Sequence, residues 1–195
     1  MRSLKFVVLT LGLALTVAAC GAPPQADLDA AKAATDSAMT AGAGDYAAGS
    51  MKAVEDAQAA LDAELRAQEG NWLKSYTKAK ELAAAVKTAG EKAAADAAAG
   101  KDTAKNEATA AIDGAKTQLA DAQALLDKAP KGKGTAADIE AMKTDLATAA
   151  TAITEAETAL ADGKFLDAKA KAESASNTAN TVKTAVEAAM AAKKR

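Results

Sequence analysis

The sequence predicts an all-α fold of antiparallel long-helix hairpins, forming an Ala-rich coiled-coil-like bundle or short helical array. Three observations carry that prediction. Alanine makes up close to a third of the chain and aromatics only 3%, so a core must form between close backbones rather than around bulky groups. Helix breakers recur at Gly42 and Gly44, Gly70, Gly100, the run from Pro130 to Gly134, and Gly163. Their spacing of roughly 30 residues is that of stacked units, each too thin to bury an apolar face alone. Between breakers, apolar residues alternate steps of three and four, the period of a coiled-coil seam.

In chain order, Gly21-Ala22-Pro23-Pro24-Gln25 lacks apolar periodicity and reads as a short, stiff tether. A modest first helix is expected over residues 27–40, with Leu28, Ala31, Ala38 and Met39 as its less polar positions, ending at Gly42-Ala43-Gly44. Five longer helices follow over residues 46–68, 72–99, 102–129, 136–161 and 164–191, each on the order of 40 Å long at about 1.5 Å per residue. Met51, Val54, Ala57, Leu61 and Leu65 form the seam of the first of these. The 102–129 segment mixes small and large residues: Ala108, Ile112, Ala115, Leu119, Ala122, Leu126 and Ala129. In the 136–161 segment the seam is large: Ile139, Met142, Leu146, Ala149, Ile153, Ala156 and Leu160. The last seam is mostly alanine, with Phe165, Ala168, Ala172, Ala175, Ala179, Val182, Val186 and Ala189. A large seam facing a small one lets two helices close toward the short end of the usual range of about 8–10 Å between axes.

Gly44-Asp45-Tyr46, Gly70-Asn71-Trp72 and Gly163-Lys164-Phe165 each place an aromatic two residues after a glycine. Glycine can take the left-handed conformation that ends a helix, and the aromatic is then expected to pack back over the hairpin as a plug. Whether Gly100 and Gly163 are turns or lie within continuous helices stays open, because a lone glycine inside an Ala-rich helix costs only about 1 kcal/mol.

The amino-terminal stretch has a different grammar. Arg2 and Lys5 precede an apolar run over residues 6–17, and small residues Ala18 and Ala19 precede Cys20, the only cysteine; this is the order of a secretory signal. The run falls short of the about 20 apolar residues that span a bilayer. Val17-Ala18-Ala19-Cys20 resembles the lipobox of bacterial lipoproteins. The resemblance implies cleavage between Ala19 and Cys20, lipid on the Cys20 sulfur and acylation of the new amino terminus. It divides the chain into a signal peptide (1–19), a lipidated cysteine with its tether (20–26) and an Ala-rich helical domain (27–195). A single acyl chain holds a protein only marginally, at about 0.8 kcal/mol per buried methylene, whereas the three that this family carries hold it for good. Gly21 stands where an Asp would retain a lipoprotein in the inner membrane, so the resemblance favours the outer membrane of a Gram-negative envelope, with the chain facing the periplasm.

Two further resemblances bear on the domain. The stretch from Leu160 to Ala168, with Ala172 and Ala175, resembles the turn and second helix of a tetratricopeptide repeat over about half a repeat, although the bulky aromatic expected near Ala172 is absent. The helical part as a whole resembles the Ala-rich helical-hairpin lipoproteins of Gram-negative envelopes, which share the Gly-Asp-Tyr turn and the Ala-spaced helices.

The composition narrows the chemistry. Histidine is absent, which removes the commonest general base and the commonest metal ligand. Acid pairs such as Glu155 with Glu157 or Asp27 with Asp29 lie two apart on a helix and point away from each other. Lys131-Gly132-Lys133-Gly134 lacks the spacing of a phosphate loop and reads as a flexible link. Once Cys20 is acylated no thiol is left for a disulfide or a metal. The formal charge of -2, made more negative when Arg2 and Lys5 leave with the signal, offers no basic field for nucleic acid.

No catalytic residue, metal, cofactor or small-molecule substrate is therefore expected. The basic tail Lys193-Lys194-Arg195 reads as a complement to a helix dipole, worth about 0.3–1 kcal/mol, or as a contact with the anionic cell wall. In the second respect the chain resembles the murein lipoproteins, whose terminal lysine is joined to peptidoglycan; Arg195 in its place argues against a covalent bond of that kind. The expectation is a non-catalytic outer-membrane lipoprotein serving as a periplasmic spacer or docking scaffold. Its partners are the membrane, through the lipid, and an envelope protein or peptidoglycan. The alternatives are a tetratricopeptide-like adaptor and a non-covalent peptidoglycan tether.

Overall fold

The computed structural model describes residues 22–129 and 136–193, and among them every regular element is a helix. These are α1 (Gln25–Ala41), the single-turn α2 (Ala43–Tyr46), α3 (Ala48–Glu69), α4 (Thr77–Leu126), α5 (Ala136–Ala161) and α6 (Phe165–Lys193). The chain divides into two compact units, Met1–Gly100 and Lys101–Arg195, and α4 contributes to both. The Pro130 to Gly134 link lies outside the described residues.

The first unit packs α1, α3 and the first half of α4. Leu28 and Ala31 of α1 meet Leu61 and Leu65 of α3 and Ala79, Ala83 and Val86 of α4 in one cluster. Ala38, Val54, Ala93 and Ala97 meet in a second. Residue numbers thus rise from the first cluster to the second along α1 and α4 and fall along α3, so the three helices run up, down and up. The second unit repeats this order with the rest of α4, α5 and α6. Ala108, Ala159 and Ala168 form one layer, Ile112, Ile153 and Ala172 belong to the next, and Leu126, Leu146 and Val182 to the third.

The helix ends follow from local chemistry. Pro24, with its fixed φ, precedes α1, and its carbonyl accepts the amides of Asp27 and Leu28 at 3.0 Å each. The helix therefore begins at Gln25, inside the stretch expected to be tether. Gly42 ends α1 at φ 84°, and its amide reaches the carbonyls of Ala38 and Met39. At the other tight turn Gly163 takes φ 77°, the amide of Lys164 reaches Ala159 O at 2.8 Å, and that of Gly163 reaches Leu160 O at 3.1 Å. This pair of bonds is the Schellman ending of a helix, so Gly163 is a turn.

Gly100 is not a turn. The helices expected over 72–99 and 102–129 are one 50-residue element, and it starts at Thr77 rather than Trp72 and ends at Leu126. The phase explains the continuity: Ala79, Ala83, Val86, Ala93, Ala97, Ala104, Ala108, Ile112 and Ala115 are all buried, at steps of three and four completed by Gly90 and Gly100. A turn would have reset that phase. Both glycines serve close approach instead. A Cβ on Gly90 would lie 2.7 Å from the backbone of Ala34, and one on Gly100 would overlap the carbonyl of Tyr46.

The seams otherwise match their spacing, with two corrections. Met39 is exposed and Ala34 takes its place in α1. At the end of α6, Ala189 is exposed and Met190 packs against the core instead, a step of four after Val186. Ala172 and Ala175 are buried as expected.

Candidate functional site

Ala19 and Cys20 lie outside the described residues, as do Lys194 and Arg195; Lys193 is the last residue of α6. What the structure does describe is a surface. No polar or charged residue is buried among the described residues, and no group of three or more Cys, Asp or Glu side chains there could hold a metal ion. No helix of the described residues is long and apolar enough to cross a membrane.

Charged side chains form exposed pairs. In the second unit they join different helices: Lys116 to Glu157 at 2.6 Å, Lys169 to Glu107 at 2.8 Å and Lys171 to Glu155 at 2.8 Å. Each pair of helices in that unit thereby has one bridge, and Ser176 adds a hydrogen bond to Gln118 at 2.5 Å. The hydrogen bond to its glutamate, and next the charge of that glutamate, raises the pKa of each of these lysines. In the first unit Lys32, Lys52, Lys87 and Lys92 pair with acids four residues ahead on the same helix. Cross-helix contacts there include Ser50 donating to Asp96 and Lys78 beside Glu64 at 3.7 Å. Hydrogen bonds from Lys92 and then Ser50 hold the Asp96 carboxyl below its ordinary pKa.

Two of the grooves among the described residues open between helices over apolar floors. One of about 430 Å³ lies between α5 and α6, floored by Ile139, Met142, Val182 and Val186 and edged by Asp138 and Asp145, with no cation among the described residues of its lining. The other, about 420 Å³, lies between α1 and α3 around Leu28, Leu61 and Leu65. The second groove also carries Lys32, Thr35 and Asp36; Lys32 is paired with Asp36 at 2.6 Å and Thr35 Oγ1 donates to Ala31 O at 3.1 Å.

No family model, no curated protein and no solved structure matches the chain.

The three aromatics after glycines behave differently from one another. Tyr46 packs with Val54 and Ala93, and Phe165 with Ala108 and Ala159, as plugs should. Trp72 does not. It is 94% exposed and its neighbour Leu73 is 82% exposed, and Gly70 before them has φ -80° rather than a left-handed value. The connection between α3 and α4 is nonetheless held from behind. Gln68 Oε1 accepts the backbone amide of Ser75 at 3.1 Å, while Gln68 Nε2 donates to Glu64 at 2.8 Å. Tyr76, at the end of the same connection, packs into the Leu28–Leu61 cluster. The glycine-then-aromatic pattern by itself does not separate Trp72 from Tyr46 and Phe165.

Proposed function

We propose that this chain is a non-catalytic lipoprotein, anchored in the outer membrane through Cys20, whose helical domain is a periplasmic spacer or docking scaffold. The Val17-Ala18-Ala19-Cys20 motif carries the reading, because small residues before a lone cysteine, after a short apolar run, form a lipidation signal. The domain supports it. A core of methyl groups and ion pairs confined to the surface suit a part that keeps distance or presents a face. Metabolic labelling of cells with a palmitate analogue tests the anchor: label should enter the wild-type protein and be lost in Cys20→Ala. Equal label in both would remove the reading.

The groove between α5 and α6 favours a second reading, an adaptor. Its apolar floor and two-aspartate edge suit an amphipathic helix with a basic flank. A photo-crosslinker at Met142 should then yield one stoichiometric adduct; diffuse labelling would return the groove to the spacer reading.

A further inference from the structure

The part of the surface that neither reading uses is the tip formed by Trp72 and Leu73. Water is a poor surrounding for two adjacent large apolar side chains, and a held loop has no folding reason to present them. Their place in the fold matters more than their exposure. Leu28 in the first turns of α1, Leu65 near the end of α3 and Tyr76 just before α4 share one cluster. The tip therefore lies at the end of the first unit where α1 begins. Pro24 is four residue steps from Cys20, a reach of at most about 14 Å when extended, and neighbouring helix axes stand about 8–10 Å apart. A bilayer that holds lipid on Cys20 comes within contact of whatever this end of the unit presents, and what it presents is tryptophan and leucine.

Tryptophan is the side chain suited to that boundary, with an apolar ring body and an N–H that stays hydrated at headgroup level. We infer that the Trp72–Leu73 tip is a second contact of this protein with the lipid surface, inserted beside the amino-terminal anchor and fixing the orientation of the first unit on the membrane. The inference deepens the anchor reading and rests on it for the position of the bilayer. The nearby charges, Lys74, Lys78 and Lys80 against Glu69 and Glu81, are mixed, so the contact is one of apolar insertion rather than of headgroup charge.

Trp72 is the only tryptophan of the chain, so intrinsic fluorescence reads this residue alone. The lipidated full-length mature protein would be reconstituted in phosphatidylethanolamine and phosphatidylglycerol vesicles, with and without lipids brominated near the headgroup. Blue-shifted emission that loses most of its intensity to the bromine is the expected result. Emission that remains that of a water-exposed indole, unquenched, would overturn the inference. A paired Trp72→Phe and Met39→Trp variant moves the probe to an exposed position about 21 Å further along α1 and should not be quenched; equal quenching at both positions would also overturn it. Palmitate labelling of the same preparations reads the anchor separately. Label without quenching leaves the anchor and removes the tip, whereas quenching without label keeps the tip and removes the anchor. Blue shift in native membranes but not in the pure lipid vesicles would assign the tip to a protein partner and overturn the lipid assignment.

Discussion

The two units run three helices up, down and up with the same alanine-rich composition, yet they are held differently. In the second unit large side chains fill the seam: Ile112, Leu126, Leu146, Ile153, Val182 and Val186 are all buried. In the first, Val54, Leu61 and Val86 are the large ones, and α4 instead approaches so closely that Gly90 and Gly100 face backbone. The bridging differs in step, with three ion pairs between helices in the second unit and mostly pairs within one helix in the first. A thin bundle can gain cohesion by filling space or by removing it. Backbone contact over many atoms replaces the dispersion that larger side chains would supply.

This comparison is most sharply broken at the glycines of α4. Gly100→Ala and Gly90→Ala each put a methyl against backbone that cannot swing aside. Each should destabilise by about 1–3 kcal/mol or more, against the helix-propensity gain of about 1 kcal/mol that alanine brings. Urea unfolding followed by far-ultraviolet circular dichroism measures this, and a gain in stability would mean that the helices do not approach at these points.

Ala172→Leu asks the same of the second unit, where Ala172 shares a layer with Ile112 and Ile153. Overpacking there should cost about 1–3 kcal/mol, at the lower end because larger neighbours can change rotamer. Gly114→Ala, on the same α4 helix but with nothing within 4 Å of the added methyl, should instead stabilise by about 0.5–1 kcal/mol. Opposite signs at Gly100 and Gly114 would separate close packing from mere tolerance of glycine.

The smallest effect is in pH dependence. The raised pKa values of Lys116, Lys169 and Lys171 add stability to the second unit that is complete below 10.5, the ordinary lysine value, and lost as pH rises through the raised values. Lys52, raised by Asp56 on its own helix, gives the first unit a loss of the same sign. Asp96 works in the other direction. Its lowered pKa adds stability to the first unit that is complete above 3.8, and it is lost as pH falls through the lowered value. Amide hydrogen exchange should find the second unit loosening first in alkali, and Asp96→Asn should flatten the acid response of the first alone.

Much of this was legible from the residues. The 136–161 helix has the predicted bounds, and Ala172 and Ala175 are buried as their spacing requires. The residues leave Gly163 open between turn and continuous helix, and its φ of 77° decides for the turn. Trp72 is expected to turn in because it stands two residues after Gly70, but Gly70 has φ -80° and makes no left-handed turn. The connection that holds Trp72 runs outside any helix up to Thr77, where α4 begins, so no helical face turns its side chain inward. The grooves were not legible at all, since they arise from how far α5 stands from α6 and α1 from α3.

Composition and periodicity by themselves determined that the chain is helical, which faces pack and that methyl groups would line the contacts, because these follow from side-chain size and the 3.6-residue turn. Tertiary structure alone decided whether Gly100 ends a helix or lets one pass close to Tyr46, and whether an aromatic turns in or out. A glycine in an alanine-rich helix changes local stability by only about 1 kcal/mol, a margin that one well-placed neighbouring backbone outweighs.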